Sequence, residues 1–572
     1  MRNISKVKRL LSPLIALFLF LGFVPAHANW TPSPVPSEEA HWGILGGGIT
    51  ESFAKFANPN LMSFASDNYK VGVGRVLSVA LCESFPSEKC PTNQFQKYQA
   101  PLGMCIDYKT DCIEEVLAET NGKKLKVLFD RYFPLPRSES FKGSKEFNLP
   151  SSGSTFLVRI PEAAHEKGDS YLVSAVVDGL RMPDQTKFRT NSLEMAIWPV
   201  AVISGNFPMY EQALDPTRYS ALGINSGAQS TNCAGVQTNG TECAMPVVAP
   251  KDLEIGLSLR LSTQVGGWLH GRITEVDAEM SLNSSSEQLL SVKGKSVTVP
   301  IIHGWVKKSQ TPEALKNFYS SMDPFYLNMG EGYGCKNPAS RGGPCGPQDW
   351  ISVLRSPSNS VSGMTELSHW LPIVEDRSAS QVSTWTIRTI NGDVTGGCKS
   401  PEDKLVGIVS TNATTYLPGP PTFNAAEGSL DYKVLAPHFL NDGSEFKGTY
   451  DLVMRSDIAR CVYGFSNAPI KASVSVVSEG GVNQVAATTI SESLGLLRLG
   501  AYGFTFSAPT LRVKLSQETP PVVKTETTTT PAPAEEVEAR KKSKKSITCV
   551  RGSVTKKVPA KEKKCPRGYK RA

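Results

Sequence analysis

The sequence lacks the short motifs that mark many catalytic and nucleotide-binding sites. It contains no H-E-x-x-H pair, no Walker loop and no dinucleotide-binding fingerprint. The G-x-S-x-G pattern of a nucleophile elbow is also missing, because Gly223–Gly227 carries its serine one place late. These absences exclude the motif-bearing members of those enzyme classes. A Ser-His-Asp triad needs no local motif and therefore stays open.

Long apolar runs are scarce as well. After a segment from Leu10 to Val24, no stretch is apolar enough to span a bilayer, which takes about 20 residues. Four basic residues precede this segment and Ala26-His27-Ala28 follows it, a pattern typical of a secretory signal peptide. We expect residues 1–28 to be that signal. The mature chain is then secreted or held at the cell envelope without a transmembrane helix.

Spacings that bind metal are absent. No C-x-x-C occurs and the histidines are scattered singly, so a zinc site is not indicated. The twelve cysteines are even in number, and exported proteins form and keep disulfides. Proximity favours local pairs, although the first four cysteines could connect in three ways. The predicted pairs are Cys82–Cys90, Cys105–Cys112, Cys233–Cys243, Cys335–Cys345, Cys398–Cys461 and Cys549–Cys565.

The largest excess of positive over negative charge lies at one end of the chain. The net charge is +8, yet residues Arg540–Ala572 alone carry +13. The stretch between the predicted signal and this tail is therefore acidic, at −9. A whole-body nucleic-acid binder carries basic charge on its folded surface. We accordingly expect no nucleic-acid partner and a local role for the tail.

Glycine and proline are abundant, at 47 and 40 residues, which suits a turn-rich β chain. Apolar residues alternate with polar ones from Glu254 to Ser262, from Ser473 to Val476 and from Leu511 to Leu515, as in half-buried strands. The sequence predicts a mainly β fold with two or more antiparallel β-sandwich-like domains. One helix is indicated near Thr311-Pro312, where a capping residue precedes a proline and an apolar face.

Composition divides the chain into six predicted parts. A Thr/Pro-rich stretch has too little apolar content to fold and is a predicted disordered linker. The basic tail beyond it is expected to form a small hairpin. The parts are residues 1–28 (signal peptide), 29–120 (cysteine-containing segment), 121–250 (β domain), 251–516 (β-rich domain or domains), 517–546 (linker) and 547–572 (tail).

Two fragments resemble parts of the serine β-lactamase motif set. Ser52–Lys55 fits S-x-x-K and Ser66–Asn68 fits S-D-N. They lie too close together for the helical domain that normally separates such motifs, and no K-T-G follows. We interpret both as chance matches, and the sequence predicts no catalytic residue, no cofactor and no metal site.

Three acids share one face of a predicted strand. Glu275, Asp277 and Glu279 alternate with Val276, Ala278 and Met280. They could bind calcium, act as glycosidase acids, or form an ordinary solvated strand face.

Trp268, His270 and Arg272 also share a face, opposite those acids if the strand runs unbroken. An aromatic ring beside cations is a possible ligand face on which a sugar could stack. The alternative is a buried cluster between sheets, where tryptophan is commonly found.

The tail carries the strongest functional signal. Its lysines resist burial and must meet water or anions, and Cys549–Cys565 would hold them on a hairpin. We expect binding to an anionic cell-wall polymer or lipid surface, where each basic residue adds up to about 1 kcal/mol. The alternative is a solubilising tag. The candidate anion-binding residues are Lys541, Lys542, Lys544, Lys545, Lys556, Lys557, Lys563 and Lys564.

The ends of the tail resemble a known group of proteins. Thr548–Val550 and Lys564–Lys570 fit T-C-V…K-C-P-x-G-Y-K, a basic two-cysteine C-terminus of uncharacterised secreted actinobacterial proteins. Residues 267–272, 460–465 and 500–509 are similar to the same group in outline. The resemblance implies an exported compartment and this architecture, and it implies no reaction.

These features favour a secreted or envelope-associated non-enzymatic β protein, binding or structural, with a tail for retention at an anionic surface. The alternative is a secreted hydrolase that acts on polysaccharide. A third possibility is a subunit of a surface assembly. The protein partner and the oligomeric state are not encoded in any motif of the sequence.

Overall fold

The protein is described here by a computed structural model. Several predictions lie outside the described residues: the signal peptide, the Ser52–Lys55 motif, the Cys335–Cys345 pair and nearly all of the linker. The described residues are 63–571 except 71–74, 108–110, 134–140, 208, 213–224, 229–232, 238–239, 264, 321–349, 355–359, 391–397, 399–403, 418, 467–469, 478–482, 486, 507–509, 518–545, 552–553, 560–564 and 566–569.

Strands form most of the described chain, as the alternation of apolar and polar residues predicts. The N-terminal half contains β1 (Ser63–Lys70), β2 (Arg75–Leu81), β3 (Phe95–Pro101), β4 (Cys112–Thr120), β5 (Lys123–Lys124), β6 (Leu128–Tyr132), β7 (Phe156–Arg159), β8 (Ser170–Arg181), β9 (Arg189–Ser204), β10 (Met209–Gln212), β11 (Asn225–Ala228), β12 (Gly235–Val236), β13 (Glu242–Pro246), β14 (Leu253–Leu261), β15 (Gly267–Leu282) and β16 (Gln288–Ile301).

The C-terminal half continues the pattern and adds three described α-helices. Its strands are β17 (His303–Lys307), β18 (Trp350–Leu354), β19 (Ser380–Thr384), β20 (Thr386–Ile390), β21 (Leu405–Thr411), β22 (Thr415–Tyr416), β23 (Thr422–Asn424), β24 (Ser429–Leu435), β25 (Gly448–Arg455), β26 (Ile470–Val477), β27 (Asn483–Val485), β28 (Ala487–Ser493), β29 (Leu496–Phe504), β30 (Thr510–Gln517), β31 (Ser546–Arg551), β32 (Val554–Pro559) and β33 (Lys570–Arg571). The helices are α1 (Glu313–Ser320), α2 (Val361–Trp370) and α3 (Ser456–Tyr463).

The strands pair antiparallel throughout the described chain, apart from β15 with β21, which run parallel. A long run of neighbours is β1–β3–β8–β9–β20–β15–β21–β25–β29–β28. A second run, β4–β14–β16, joins it at β15. A separate sheet contains β24, β30 and β26. The predicted fold class, mainly β with several antiparallel sheets, is confirmed.

A central layer of strands is buried on both faces. In β15, β21 and β25, Leu269, Ile408 and Val453 belong to one hydrophobic core, whereas their neighbours Trp268, Val409 and Leu452 belong to a second core. Successive side chains of a strand point to opposite faces, so each strand supplies both cores at once. The first core is closed by β4, β14 and β16, and the second by β24, β26 and β30.

Strand pairing crosses two of the boundaries drawn from composition. β4, from the predicted 29–120 segment, pairs with β14 of the 251–516 segment. β9, from the predicted 121–250 domain, pairs with β20. By its internal contacts the chain divides into two compact units, Met1–Glu518 and Thr519–Ala572, whose border lies in the predicted linker.

The predicted helix is present as α1, directly after Thr311-Pro312, and its Leu315 and Tyr319 are buried. The alternation pattern missed α2 and α3. Both have terminal signals: Ser360 caps α2 by accepting a hydrogen bond from Gly363, and Gly464 ends α3 in the left-handed region, with φ 66°.

Four predicted disulfides are confirmed: Cys82–Cys90, Cys105–Cys112, Cys233–Cys243 and Cys398–Cys461. Cys565 is also disulfide-bonded. Its pairing with Cys549 stays a prediction.

A β-bulge interrupts β15 and changes which face its acids occupy. One extra residue lies between Thr274 and Asp277 relative to β16, and Glu275 has φ 55°. Residues with odd numbers enter the first core before the bulge (Ile273), and residues with even numbers enter it afterwards (Val276). Asp277 and Glu279 therefore lie on the same side as Trp268, His270 and Arg272. The expectation of opposite faces, which assumed an unbroken strand, is wrong.

Asp451 on β25 holds this bulge. Its carboxylate accepts hydrogen bonds from Thr274 Oγ1 at 3.2 Å, from the Val276 backbone N–H at 3.3 Å and from Tyr502 Oη at 2.5 Å. Burial raises the pKa of Asp451 to about 6, against the opposing effect of these donors.

We expect every cysteine of the exported protein to be oxidised. Thiol labelling of the denatured, unreduced protein followed by intact-mass analysis should detect no adduct, and reduction before labelling provides the control. Two or more labelled thiols per chain would contradict this expectation.

The pKa of Asp451 makes stability depend on pH. A carboxyl whose pKa is higher in the folded than in the unfolded chain stabilises the fold below the unfolded value, near 3.8, and this contribution is lost as pH rises through about 6. Asp451→Asn removes the titration. Between pH 4 and pH 7, wild-type protein should lose on the order of 3 kcal/mol relative to the variant, measured by urea unfolding. Equal pH profiles for both proteins would contradict the assignment.

Candidate functional site

The three side chains of the predicted ligand face lie in the interior. Trp268, His270 and Arg272 are 2%, 2% and 1% exposed. The Trp268 indole packs over Gly407, where a Cβ atom would lie 2.7 Å from its ring. This corresponds to the buried alternative, and it leaves no exposed platform at these residues for a sugar.

A stack of planar groups surrounds Tyr416. The His270 ring lies 3.7 Å from the Tyr416 ring, nearly parallel to it, and the Arg272 guanidinium lies 4.9 Å from the same ring. Arg272 donates hydrogen bonds to the backbone oxygens of Thr411, at 3.0 Å, and of Ala413. Arg388 donates to Tyr416 Oη at 2.7 Å. Arg272 therefore ties the chain after β21 to the central layer.

The histidine of this cluster is neutral at physiological pH. Burial, and then the neighbouring Arg272 and Arg388, lower the pKa of His270 well below its usual value. Strand register aligns Glu194, Arg388 and His270 in one row across β9, β20 and β15. The neutral His270 ring stacks on Tyr416 and contributes to packing here.

The described body contains a cleft of about 560 Å³ at the run of strands β4–β14–β16. It lies beside β4, with β15 and β16 on one side and the chain from Lys124 to Phe129 on the other. Its lining combines apolar and acidic side chains: Met104, Glu114, Glu115, Val116, Leu117, Ala118, Glu119, Lys124, Leu125, Val127, Phe129, Val158, Asp277, Ala278, Glu279, Ser291 and Lys293.

The cleft exists because one edge of β4 loses its neighbour. On that edge Ile113 bonds to Gly103 and Cys105, and Ala118 accepts a hydrogen bond from Leu125. Between these points, residues 114–117 have no backbone partner on this edge among the described residues. A strand edge that lacks a neighbour can accept another chain.

Two exposed apolar side chains belong to chain segments that contribute lining residues to the cleft. The Cys105–Cys112 disulfide closes a loop whose Ile106 is 89% exposed. Tyr132 Oη donates to Asp107 of that loop, and the Tyr132 ring lies 5.2 Å from Phe129, which is 47% exposed. Exposed aromatic and aliphatic groups are common at binding surfaces.

Five carboxylates and two lysines face the cleft. Three carboxylates have cationic partners: Glu114 lies 3.3 Å from Arg260, Glu119 lies 2.6 Å from Lys293, and Asp277 lies 3.5 Å from Arg498. Glu115 and Glu279 have no ion-pair partner among the described residues. Within the described part of the chain, the cleft therefore has two unpaired carboxylates, and Lys124 on its lining supplies one unpaired positive charge.

The predicted acidic face of β15 is exposed, with Val276 and Ala278 buried between its acids. Glu275 pairs with Lys295 at 2.8 Å, so these acids do not form one cluster. Across the described residues, no group of three or more His, Cys, Asp or Glu side chains is arranged to hold a metal ion. The arrangement is that of a solvated strand face, two of whose acids border the cleft.

The tail forms a compact sheet of its own. β31 lies between β32 and β33, and register places Cys549 opposite Lys556 and Arg571. Lys556 and Lys557 lie on β32. The other candidate anion-binding lysines, Lys541, Lys542, Lys544, Lys545, Lys563 and Lys564, lie outside the described residues.

Sequence reasoning missed the cleft. The signal that could have indicated it is a β-prone segment that carries three acids, Glu114, Glu115 and Glu119. No helix in the described part of the chain has the length and apolarity needed to cross a bilayer.

No family model, curated protein or solved structure matches this chain. A functional assignment therefore depends on its own residues and geometry.

The buried position of Arg272 leads to a stability prediction. Arg272→Met should remove two buried hydrogen bonds from a charged donor and lower the free energy of unfolding by on the order of 2–4 kcal/mol. Lys89→Met, which removes an exposed pair with Glu83, is the control and should change it little. Urea unfolding at neutral pH measures both. Similar small effects of the two substitutions would contradict a structural role for Arg272.

Proposed function

We propose that this chain is a secreted, non-enzymatic binding protein whose basic tail retains it at an anionic envelope surface. The observation that carries the proposal is the separation of charge. The tail's +13 lies within the compact unit Thr519–Ala572, whereas residues 29–539 carry −9. Charge concentrated in one small unit suits attachment, and the acidic remainder is left to face outward.

The sheet of the tail supports this proposal physically. Its paired strands keep several basic residues together on a short backbone, and their attraction to an anionic surface adds up to about 1 kcal/mol each. The interaction is screened over about 8 Å at physiological salt, so retention by the tail should weaken as salt rises.

The disulfides support an exported location. Four pairs are formed within the described body, and such bonds persist outside the reducing cytosol. The acidic cleft supplies the proposed protein with a place to bind a partner, since its volume falls within the range of ligand sites.

A second candidate is a hydrolase that acts on polysaccharide. Asp277 and Glu279 are two residues apart on β15 and both line the cleft. Residues at this spacing on a strand lie about 7 Å apart, within the range that separates the two carboxyl groups of glycosidases. Release of reducing ends from envelope polysaccharide by wild-type protein, abolished in Glu279→Gln, would favour this candidate.

Deletion of Arg540–Ala572 tests the retention proposal. The truncated protein should move from the envelope fraction into the medium, because it has lost the charges that bind the surface. Its melting temperature should stay unchanged, since the deleted residues lie outside the larger unit. Cell fractionation with immunoblotting measures retention, and calorimetry measures stability.

A second variant replaces the tail lysines by glutamine and leaves the chain length unchanged, which separates the loss of charge from the loss of residues. It should also be released, as should full-length protein washed with molar salt. Equal retention of all forms, or retention that salt does not affect, would mean that the tail only aids solubility.

A further inference from the structure

Among the described residues, the strand β28 has a neighbour on one side alone. It pairs with β29, and its other edge makes no backbone hydrogen bond to any described residue. Residues 489–494 along this edge are exposed. We propose that a second copy of this chain adds its own β28 to the open edge and so forms a symmetric dimer. This inference goes beyond the proposed function and depends neither on the tail nor on the cleft.

β28 lacks the features by which proteins usually protect an edge strand. Its sequence, Ala487–Ser493, contains no lysine and no proline, and its register with β29 runs without a bulge. Lysine, proline and bulges are common means of preventing pairing between edges. The single charged residue of the strand, Glu492, already pairs with Arg460 at 2.9 Å. The strand is therefore suited to accept another strand.

The turn after β28 determines which backbone groups face the open edge. Leu494 and Gly495 have φ values of 52° and 72° and form a two-residue loop of the type I′ class. The residues on either side of such a turn bond to each other, so Ser493 directs its backbone groups toward β29. Successive residues of an antiparallel strand alternate in this respect. Every second residue counted back from Ser493 therefore faces β29, and the residues between them face outward.

The outward-facing backbone groups define a self-complementary register. They belong to Thr488, Ile490 and Glu492. A two-fold axis at Ile490 places this residue opposite its own counterpart, and it places Thr488 opposite Glu492 of the second copy. Each of these pairs exchanges both N–H···O bonds, as hydrogen-bonded antiparallel pairs do. A closed dimer with a two-fold axis is the commonest form of homo-oligomer.

The side chains opposed in this register are compatible with pairing. Ile490, which is 40% exposed, meets Ile490 of the second copy, so two exposed apolar groups cover each other. Because Glu492 lies opposite a threonine position, the two carboxylates of the dimer do not face each other. On the other face of the strand, Thr489 lies opposite Ser491. Like charges directly opposite each other destabilise a sheet, and this register has none among the residues of β28.

Leu494 gives an independent indication that the turn meets another surface. Both positions of a type I′ turn require positive φ and favour Asn, Asp or Gly. A leucine occupies the first position here and is 76% exposed. In the proposed register this turn lies beside the start of β28 of the second copy, where the leucine is covered.

A dimer of this kind brings two basic tails to one surface. Linked attachments hold more tightly than single ones without any new contact, so retention gains avidity. This consequence rests on the proposed function, whereas the pairing of β28 does not. Loss of retention with an intact dimer counts against the proposed function, and loss of the dimer counts against this inference.

Sedimentation velocity of the full mature protein over a concentration series tests the pairing. Wild-type protein should form a reversible dimer, also in molar salt, which screens any attraction between tail and acidic body. Ile490→Lys places two ammonium groups opposite each other at the axis. It should weaken dimerisation about tenfold or more, equivalent to about 1.4 kcal/mol.

Thr488→Lys is the matched control for this variant. It adds the same charge to the same strand, two residues away, but places the lysine opposite Glu492 of the second copy. Dimerisation should tighten or stay within about twofold of wild type, because opposite charges across a strand pair are favourable.

Cysteine substitutions test the register itself. Ile490→Cys should give a disulfide-linked dimer on a non-reducing gel after mild oxidation, since Cα atoms of a hydrogen-bonded pair lie about 5.5 Å apart, within disulfide range. Ser493→Cys is also on an exposed position. Its counterpart in the second copy lies about 20 Å away in this register, so this variant should not cross-link.

Several results would overturn the inference. Wild-type protein that stays monomeric across the series has no such pairing, and a dimer that Ile490→Lys leaves intact uses another surface. Equal losses in the two lysine variants, or equal cross-linking of the two cysteine variants, contradict the register. Melting temperatures in dilute solution should be equal for all variants, and if Ile490→Lys melts early, the cysteine variants decide.

Discussion

The rest of the structure depends on a strand layer that has no solvent-facing side. β15, β21 and β25 bond to neighbours on both edges and send alternate side chains into two hydrophobic cores. A shift of register by one residue would exchange the two sets of side chains, so the register is strongly specified. Arg272 and Asp451 are buried in this layer, and both find hydrogen-bond partners within it.

The bulge in β15 follows from this constraint. In the first half of β15 the side chains on both faces are buried. In the second half, the side chains on one face are exposed. One inserted residue at Glu275 keeps apolar side chains in the first core and turns Asp277 and Glu279 outward. Asp451 accepts hydrogen bonds from a backbone donor and a side-chain donor of the bulge, and so links the two halves of β15. Because of this bulge, Asp277 and Glu279 face the cleft.

Attachment and recognition are assigned to different parts of the chain in our proposal. The tail offers dense positive charge on a small sheet, which is suited to any anionic surface. The cleft has apolar and acidic lining residues beside a strand edge, and in our proposal it is the place where the body meets a partner. The first interaction is long-ranged and sensitive to salt, and the second requires close contact.

The sequence by itself determined the β class, several strand positions, the helix after Thr311-Pro312 and the local disulfides. These features depend on neighbours along the chain: alternation, capping and short loops. Tertiary structure decided the rest. Trp268, His270 and Arg272 have the same spacing whether exposed or buried, and only a second sheet across the layer makes them interior. The cleft joins residues near 115, 125 and 279, which no pattern along the sequence connects. Strand pairing brings them together, because hydrogen bonds between strands ignore separation along the chain.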